Sequence, residues 1–324
     1  MAVIVLCLLA WLLVGMAKLE LLFGVIIPYL ALLIFLIGVC YRVVKWARSP
    51  VPFRIPTTAG QQKSLPFLKS SRLENPDTTL GVLIRMALEV LLFRSLFRNS
   101  RTEIRGERVI YWGDKYLWAA GLCFHWSFLV IFLRHFRFFM EPVPFFVPWL
   151  QTLDGFFEIG VPTLFISDLV ILGAVSYLFF RRVYYPQVRY ISLAADYFPL
   201  FLILGLAATG VLMRHFYKVD LLSVKELAAG LFSLKPATAV LSRIGVIFYI
   251  HLFLVSVLIA YFPMSKLMHM AGVFFSPTRN LANNSRRVRH VNPWDYPVKV
   301  HTYEEWEDEF RGLMKDAGMP VEKE

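Results

Sequence analysis

The sequence predicts an all-α fold, a polytopic transmembrane helical bundle of about six spans with a cytoplasmic amphipathic helix. Two observations predict it. The 324-residue chain is 57% hydrophobic with a mean hydropathy of +0.58, which is more than a soluble domain of this length needs. The apolar residues also form continuous blocks of about 18–24 residues, long enough to cross about 30 Å of hydrocarbon. Continuous rather than alternating blocks exclude a membrane β-barrel.

The apolar blocks locate the spans. We expect spans over residues 2–17, 21–41, 116–138, 163–180, 192–213 and 244–262. The first block resembles a signal peptide, but no basic region precedes it, so we interpret it as a retained helix. Residues 80–98 are apolar yet interrupted by charges, which favours an amphipathic helix on the membrane surface. The charged positions are Arg85, Glu89, Arg94 and Arg98.

These patterns divide the chain into four parts. They are an N-terminal transmembrane hairpin (1–41), a basic loop with the interfacial helix (42–115), a four-helix transmembrane core (116–270) and a tail (271–324). Within the tail, the acidic stretch EEWEDEF predicts a short amphipathic helix. Its Trp306 and Phe310 are four residues apart and would present one apolar face to a partner.

The placement of charge predicts the orientation. The formal net charge is +11, and the basic residues lie in loops 42–115 and 181–191 and at the start of the tail. Connections 18–20 and 139–162 are not basic. This distribution follows the positive-inside rule and predicts a multi-pass protein of the cell membrane with both termini in the cytoplasm. The charge therefore indicates contact with the lipid bilayer rather than with nucleic acid.

Five of the seven histidines lie in or just past the apolar blocks, where histidines are rare and usually functional, and four of them, all but His215, sort into pairs. His125 and His135 are ten residues apart in the third span. His251 and His269 are eighteen apart, in the sixth span and just after it. Since these spans run antiparallel, His125 would face His269, and His135 would face His251. Straight helices would separate the pairs by about 15 Å and about 27 Å, so tilt or a break near Pro263 is required.

Two facing imidazoles at each of two depths favour bis-histidine haem iron. Zinc would need three or four ligands, and a single membrane histidine is often only hydrogen-bonded to a neighbouring helix. No C-x-x-C-H motif is present, so the haems would be b-type. Methionines near His269 are alternative axial ligands, namely Met264, Met268 and Met270. Basic residues that would meet haem propionates are Arg134, Arg137 and Arg214 at the outer ends and Lys266 at the inner end.

The histidine spacings resemble those of the gamma subunit family of respiratory nitrate reductase. The stretch PMSKLMHM (263–270) resembles the proline, basic residue and histidine that close the last helix in that family. The continuation FFSPTRNLANNSRRVRHVNPWDYP and the tail TYEEWEDEF resemble more closely the DsrM-type subunit. That subunit is the membrane cytochrome b of complexes that link quinones to dissimilatory sulfur metabolism.

The resemblance implies two haem b groups, an inner one held by His125 and His269 and an outer one held by His135 and His251. It also implies a quinol site near the outer haem, with menaquinone as the expected quinone. The implied partners are a cytoplasmic iron–sulfur subunit similar to heterodisulfide reductase and further membrane and extracytoplasmic subunits. Nitrate reductase relatives carry a lysine near the quinol site, whereas connection 139–162 has none, so quinone-site residues are not carried over.

A quinol site needs a base, and four residues lie near the predicted outer side: His215, Arg214, Asp168 and Glu158. Asp168 stands in an apolar run, where an acid is costly and often functional. It could equally cap its helix or pair with an arginine, and His215 could have only an interfacial role.

The resemblance thus implies a subunit that transfers electrons between the quinone pool and a cytoplasmic iron–sulfur protein in dissimilatory sulfite or sulfur metabolism, with quinol oxidation as its expected half-reaction and the direction of flow left open. One alternative is the gamma-type cytochrome b subunit of a nitrate or heterodisulfide reductase. Another is a haem-free membrane anchor or a transporter, in which the histidines would line a polar path.

Overall fold

A computed structural model describes residues 1–49, 63, 67, 69–155, 164–284 and 300–323. Its helices are α1 (Ala2–Gly15), α2 (Ile27–Ala47), α3 (Thr79–Leu92), α4 (Arg94–Phe97), α5 (Lys115–Arg134), α6 (Phe146–Asp154), α7 (Ile166–Tyr184), α8 (Pro186–Ile191), α9 (Ala194–His215), α10 (Leu221–Phe232), α11 (Val246–Tyr261), α12 (His269–Gly272), α13 (Pro277–Asn280) and α14 (Tyr303–Asp316). A π-helical turn, Leu22–Ile26, leads directly into α2. Two strands, β1 (Ser100–Arg105) and β2 (Arg108–Gly113), form an antiparallel hairpin.

Helices occur at all six predicted span positions. Among the described residues, four helical stretches are long and apolar enough to cross a membrane: Leu22–Ala47, Lys115–Phe138, Ala194–His215 and Val246–Met264. Helix α1 is apolar but shorter, and α7 carries Asp168, Arg181 and Arg182 in its end turns. The helical membrane bundle is therefore confirmed, while the number of six spans stays a prediction.

The bundle is organised around α11 and α7. Helix α11 packs against α1, α2 and α9, and α7 packs between α5 and α9. The central contacts are made by fully buried aliphatic and aromatic side chains such as Val175, Leu202, Leu254 and Tyr249. Within the described part of the chain, α5 and α11 are not among the closely packed pairs. The two helices that carry the predicted ligand pairs are thus held by their neighbours rather than by each other.

Helix α11 ends at a break around Pro263, one of the two ways in which the unequal histidine spacings could be reconciled. Two 3-10 turns, Phe262–Met264 and Lys266–Met268, are separated by Ser265 in an extended conformation. Pro263 lies against α2, where a Cβ at Gly38 would come within 2.6 Å of the proline ring. Because a larger residue at position 38 would collide with the ring, this glycine permits the close approach of the broken segment that carries His269.

The segment predicted as one surface helix over 80–98 is broken into α3 and α4. Phe93 at the junction has φ of 50°, a left-handed conformation unusual for an aromatic residue. Indole N–H groups on α5 satisfy the last carbonyls of α3: Trp126 donates to Leu91 at 3.1 Å and Trp118 to Leu92 at 2.7 Å. Several leucines of α3 are exposed, including Leu80 and Leu83, which gives the helix an uncovered apolar face.

Arg85, which the sequence pattern placed among the interrupting charges of an amphipathic helix, is only 5% exposed. Its guanidinium donates to the backbone carbonyls of Glu74, Arg279 and Leu281. Nearby, Asn283 donates its backbone N–H to Pro76 at 2.8 Å and its amide to Asn75. These hydrogen bonds therefore attach helix α3 to the segment that follows α12.

Two further elements complete the description. The β1–β2 hairpin was not predicted, so the all-α description applies to the bundle and not to residues 100–113. Its two-residue loop contains Gly106 at φ of 62°, a conformation that favours glycine. The predicted acidic helix is present as α14, in which the rings of Trp306 and Phe310 lie 5.6 Å apart.

Candidate functional site

The structure places His125 and His269 opposite each other. Their ring centres are 5.9 Å apart and their planes meet at 81°. A metal ion bound at about 2 Å by one nitrogen of each of two opposed imidazoles would separate the ring centres by roughly 6 Å. We call this region, with α3 and the segment after Pro263, the His125 end of the bundle.

One nitrogen of each predicted ligand is occupied by a hydrogen bond. The Nδ1 atoms of His125 and His135 lie 2.7 Å from the carbonyl oxygens of Gly121 and Ile131. The Nδ1 atom of His269 lies 2.9 Å from the carbonyl oxygen of Lys266. Such bonds place the proton on Nδ1 and leave the lone pair of Nε2 available to a metal.

His251 is positioned by a side chain instead of the backbone. Its Nδ1 lies 2.8 Å from Oγ1 of Thr209, while the threonine hydroxyl lies 2.8 Å from the carbonyl oxygen of Gly205. A hydroxyl has one hydrogen, so donation to Gly205 leaves it as acceptor for Nδ1–H. Nε2 of His251 again remains the free nitrogen.

His135 and His251 belong to the opposite end, which we call the His135 end. His135 is the first residue of a 3-10 turn that continues α5, and it lies within electrostatic range of His251. Gly210 of α9 faces this pair, since a Cβ there would lie 3.7 Å from Cε1 of His251. The predicted sorting of the four histidines into two groups at two depths is therefore present in the fold.

Aromatic rings surround the His125 end. The rings of Phe93 and Phe124 each lie 4.8 Å from the imidazole of His125, both in edge-on geometry. Phe93 reaches this position because the left-handed break after α3 turns the chain toward α5. The imidazole of His125 is thus flanked by apolar rings.

The four ligand candidates fit a planar prosthetic group held between two helices. Each keeps an unused imidazole nitrogen, and none of the four residues is fully buried. Within the described residues, no group of three or more histidine, cysteine or acidic side chains could hold a metal ion. What the geometry offers is two nitrogens per centre, as bis-histidine haem requires.

Two of the residues expected to meet propionates, Arg134 and Lys266, have partners within the protein. Arg134 is paired with Asp154, whose carboxylate is buried, and Lys266 donates to Asp196 at 2.6 Å. Arg137 lies in the 3-10 turn after α5. A role for Arg134, Arg137 or Lys266 toward haem stays a prediction.

Three of the four quinol-site candidates lie together at the His135 end. Asp168 is in the first turn of α7, and its charged neighbours include Arg134, Arg214 and His215. Arg214 and His215 close α9. Nε2 of His215 is buried and has no hydrogen-bond partner among the described residues. Glu158 lies outside the described residues.

The sequence interpretation missed the residues that hold these candidates in place. Asp154 joins three elements of the fold. The ring of Phe165 lies against two arginines, and this residue is only 2% exposed. Thr209 orients His251 from another helix. No spacing rule connects these residues to the histidines. The only sequence signal was for Asp154, an acidic residue directly before Gly155, a glycine of the kind that ends helices.

The chain has been compared with known proteins. Residues 82–290 match the family model of the nitrate reductase gamma subunit. An Hdr-like menaquinol oxidoreductase cytochrome b-like subunit of Archaeoglobus fulgidus is 48% identical over 278 residues, which cover 84% of this chain and 83% of that protein. The protein of the same description from Archaeoglobus profundus is 43% identical over 276 residues, covering 83% of this chain and 81% of its own length.

Proposed function

This chain belongs to the nitrate reductase gamma subunit family, and we propose that it is a dihaem cytochrome b that oxidises menaquinol in the membrane. In this proposal, His125 and His269 bind one haem b, and His135 and His251 bind the other. The electrons pass to a cytoplasmic iron–sulfur subunit similar to heterodisulfide reductase. The wider setting we propose is a DsrM-type complex of dissimilatory sulfur metabolism.

One observation carries the proposal: among the described residues, each of the four histidines has its Nδ1 in a hydrogen bond, and its Nε2 has no hydrogen-bond partner. The uniform arrangement fixes the tautomer that a haem iron needs. The relatives' description as menaquinol oxidoreductase cytochrome b-like subunits supports the same conclusion.

Haem, when bound, supplies one-electron transfer, so a quinol's two electrons would leave one at a time. The chain's own residues then handle the two protons. Asp168 and His215 are the candidates to accept them, with Arg214 beside them to stabilise an anionic quinol oxygen. All three lie at the His135 end, which we assign to the outer side of the membrane. Glu158 remains a sequence-based candidate for the same role.

The His125 end would face the cytoplasm and the iron–sulfur partner. The basic loop 42–115 and the start of the tail lie on this side by the distribution of charge. No proton acceptor is required here, because only electrons leave. The aromatic rings beside His125 suit this role, since they add no titratable group.

A reduced-minus-oxidised optical spectrum with a pyridine haemochrome assay tests the proposal. The wild-type chain should hold two b haems, which a menaquinol analogue should reduce. His125→Ala and His269→Ala should lose one haem, and His135→Ala and His251→Ala the other. His301→Ala, on an exposed tail residue, is the matched control and should keep both. A well-folded wild type without haem would contradict the proposal and favour a haem-free membrane protein.

A further inference from the structure

We propose that Asp154 is a positioning residue that holds the ends of α5, α7 and α9 in register at the His135 end. The inference rests on the proposed function, because its consequence is the relative placement of a haem ligand and the quinol-site candidates. Nothing in the sequence pattern or in the relatives' descriptions assigns a role to this residue.

Asp154 joins three elements through one buried carboxylate. It closes α6 and is 9% exposed. It accepts hydrogen bonds from the hydroxyl of Ser167 at 2.6 Å, from the backbone N–H of Ser167 at 2.8 Å and from the guanidinium of Arg134. Three donors on two helices therefore converge on one side chain.

The need for this carboxylate comes from the way α7 begins. The N-cap position of α7 is Phe165, whose side chain has no atom that could accept from the first N–H groups. The carboxylate of Asp154 takes over that role from outside the helix. Its negative charge also lies at the positive end of the helix dipole.

Phe165 extends the unit to α9. Its ring centre is 3.5 Å from Cζ of Arg134 and 4.0 Å from Cζ of Arg214. Both distances suit cation–π contacts, which are strengthened when the groups are shielded from water. The two arginines repel each other, so the arrangement depends on the negative charge that Asp154 contributes next to Arg134.

Each residue held by this unit is the chain neighbour of a candidate functional group. Arg134 precedes His135, Ser167 precedes Asp168, and Arg214 precedes His215. A shift of any held residue would move its neighbour by a comparable amount. Since a misplacement of about 1 Å can cost about 100-fold in rate, the unit sets the geometry in which quinol meets the outer haem.

The opposite end of the same two helices supplies a matched control. Asp114 precedes α5 and pairs with Arg181 near the end of α7 at 2.7 Å, and both side chains are largely buried. The pair has the same chemistry and joins the same helices. It is not adjacent in the chain to any ligand or quinol-site candidate.

The experiment compares Asp154→Asn and Asp114→Asn in the complex purified from membranes. The readouts are haem content, the low-temperature electron paramagnetic resonance signal of each ferric haem, and kcat and KM with a menaquinol analogue. Both variants should retain two haems. Asp154→Asn should shift the signal of the haem that His135→Ala removes, and should lower kcat/KM about 10-fold, mostly through kcat. Asp114→Asn should change neither readout.

An unchanged signal and unchanged kinetics in Asp154→Asn would overturn the inference. Equal changes in both variants would also overturn it, because the ion pairs would then only stabilise the bundle. If Asp154→Asn does not fold, Ser167→Ala removes one donor to the carboxylate and should shift the same haem signal to a smaller extent. A wild type without haem would contradict the proposed function itself, whereas two haems with an unaffected Asp154→Asn contradict only this inference.

Discussion

The two ends of the bundle hold chemically similar histidine pairs in different surroundings. At the His125 end, both Nδ1 atoms bond to backbone carbonyls, and aromatic rings line the imidazole. At the His135 end, one Nδ1 depends on a threonine from another helix, and the neighbours are arginines and aspartates. Both ends therefore offer two imidazoles, but the groups that contact those imidazoles differ between the ends.

Under the proposed function, this difference would correspond to different tasks at the two ends. A site that only exchanges electrons gains from an apolar wall, because no proton has to enter or leave. A site that oxidises quinol must also remove protons, and it needs ionisable groups close to the reacting atoms. The buried charges at the His135 end are costly unless paired, and their retention together at one end is consistent with use in proton chemistry.

The largest expected effect concerns how the His125 end is held. Arg85→Ala would leave the backbone carbonyls of Glu74, Arg279 and Leu281 without their donor. We expect a destabilisation of about 3 kcal/mol, because buried acceptors lose their partners. The segment after α12 should loosen, and the haem bound by His125 and His269 should dissociate first on heating.

The measurement is haem absorbance during thermal unfolding in nanodiscs. Arg105→Ala is the control, since that side chain is 58% exposed and its described contacts, with Glu103 and the ring of Trp112, lie within the β1–β2 hairpin, so its effect should stay within about 1 kcal/mol. Loss of both haems at one temperature in Arg85→Ala would mean that the two ends are not independently held.

The second expected effect tests the other end. Thr209→Val keeps the shape of the side chain but removes the hydroxyl that accepts from His251. Loss of such an outer-layer contact typically weakens metal binding by about 10-fold. Competitive haem removal by apomyoglobin should therefore accelerate for one haem only, the one that His135→Ala also removes. Thr209→Ser retains the hydroxyl and should behave as wild type; faster loss of the other haem would refute the assignment of Thr209 to this end.

The smallest effect is a pH dependence at the His125 end. Burial raises the pKa of Glu74, but hydrogen bonds from Arg98 and Arg94 outweigh it, so the pKa of this carboxyl is lowered overall. A carboxylate with a lowered pKa stabilises the fold above its ordinary pKa, and this contribution is lost as the pH falls through the lowered value. Acid should therefore weaken the contact between the carboxylate of Glu74 and helix α4.

Thermal unfolding between about pH 6 and about pH 3 measures this contribution. Glu74→Gln should be less stable than wild type at the higher pH, and the difference should shrink toward the lower pH. A difference that does not depend on pH would show that Glu74 acts through packing rather than through its charge.

Local patterns were enough for much of the fold. Apolar blocks predicted the helices, because a hydrocarbon environment leaves the backbone few alternatives. The unequal histidine spacings left tilt or a break near Pro263 as alternatives, and the structure has the break. The hairpin at 100–113 and the break at Phe93 were missed, since each depends on weak turn signals or on tryptophans that satisfy carbonyls from another helix.

What the sequence by itself determined is the helical membrane bundle and the placement of the four histidines toward its two ends, because both follow from periodicity and chain direction. Only the tertiary structure decided which groups surround each pair. Asp154, Phe165, Thr209 and Arg85 act through contacts between elements far apart in the chain, and no local pattern encodes those contacts. The physical reason is that a helix propensity or an apolar run is read from adjacent residues, whereas a buried carboxylate or guanidinium is defined by the partners that packing brings to it.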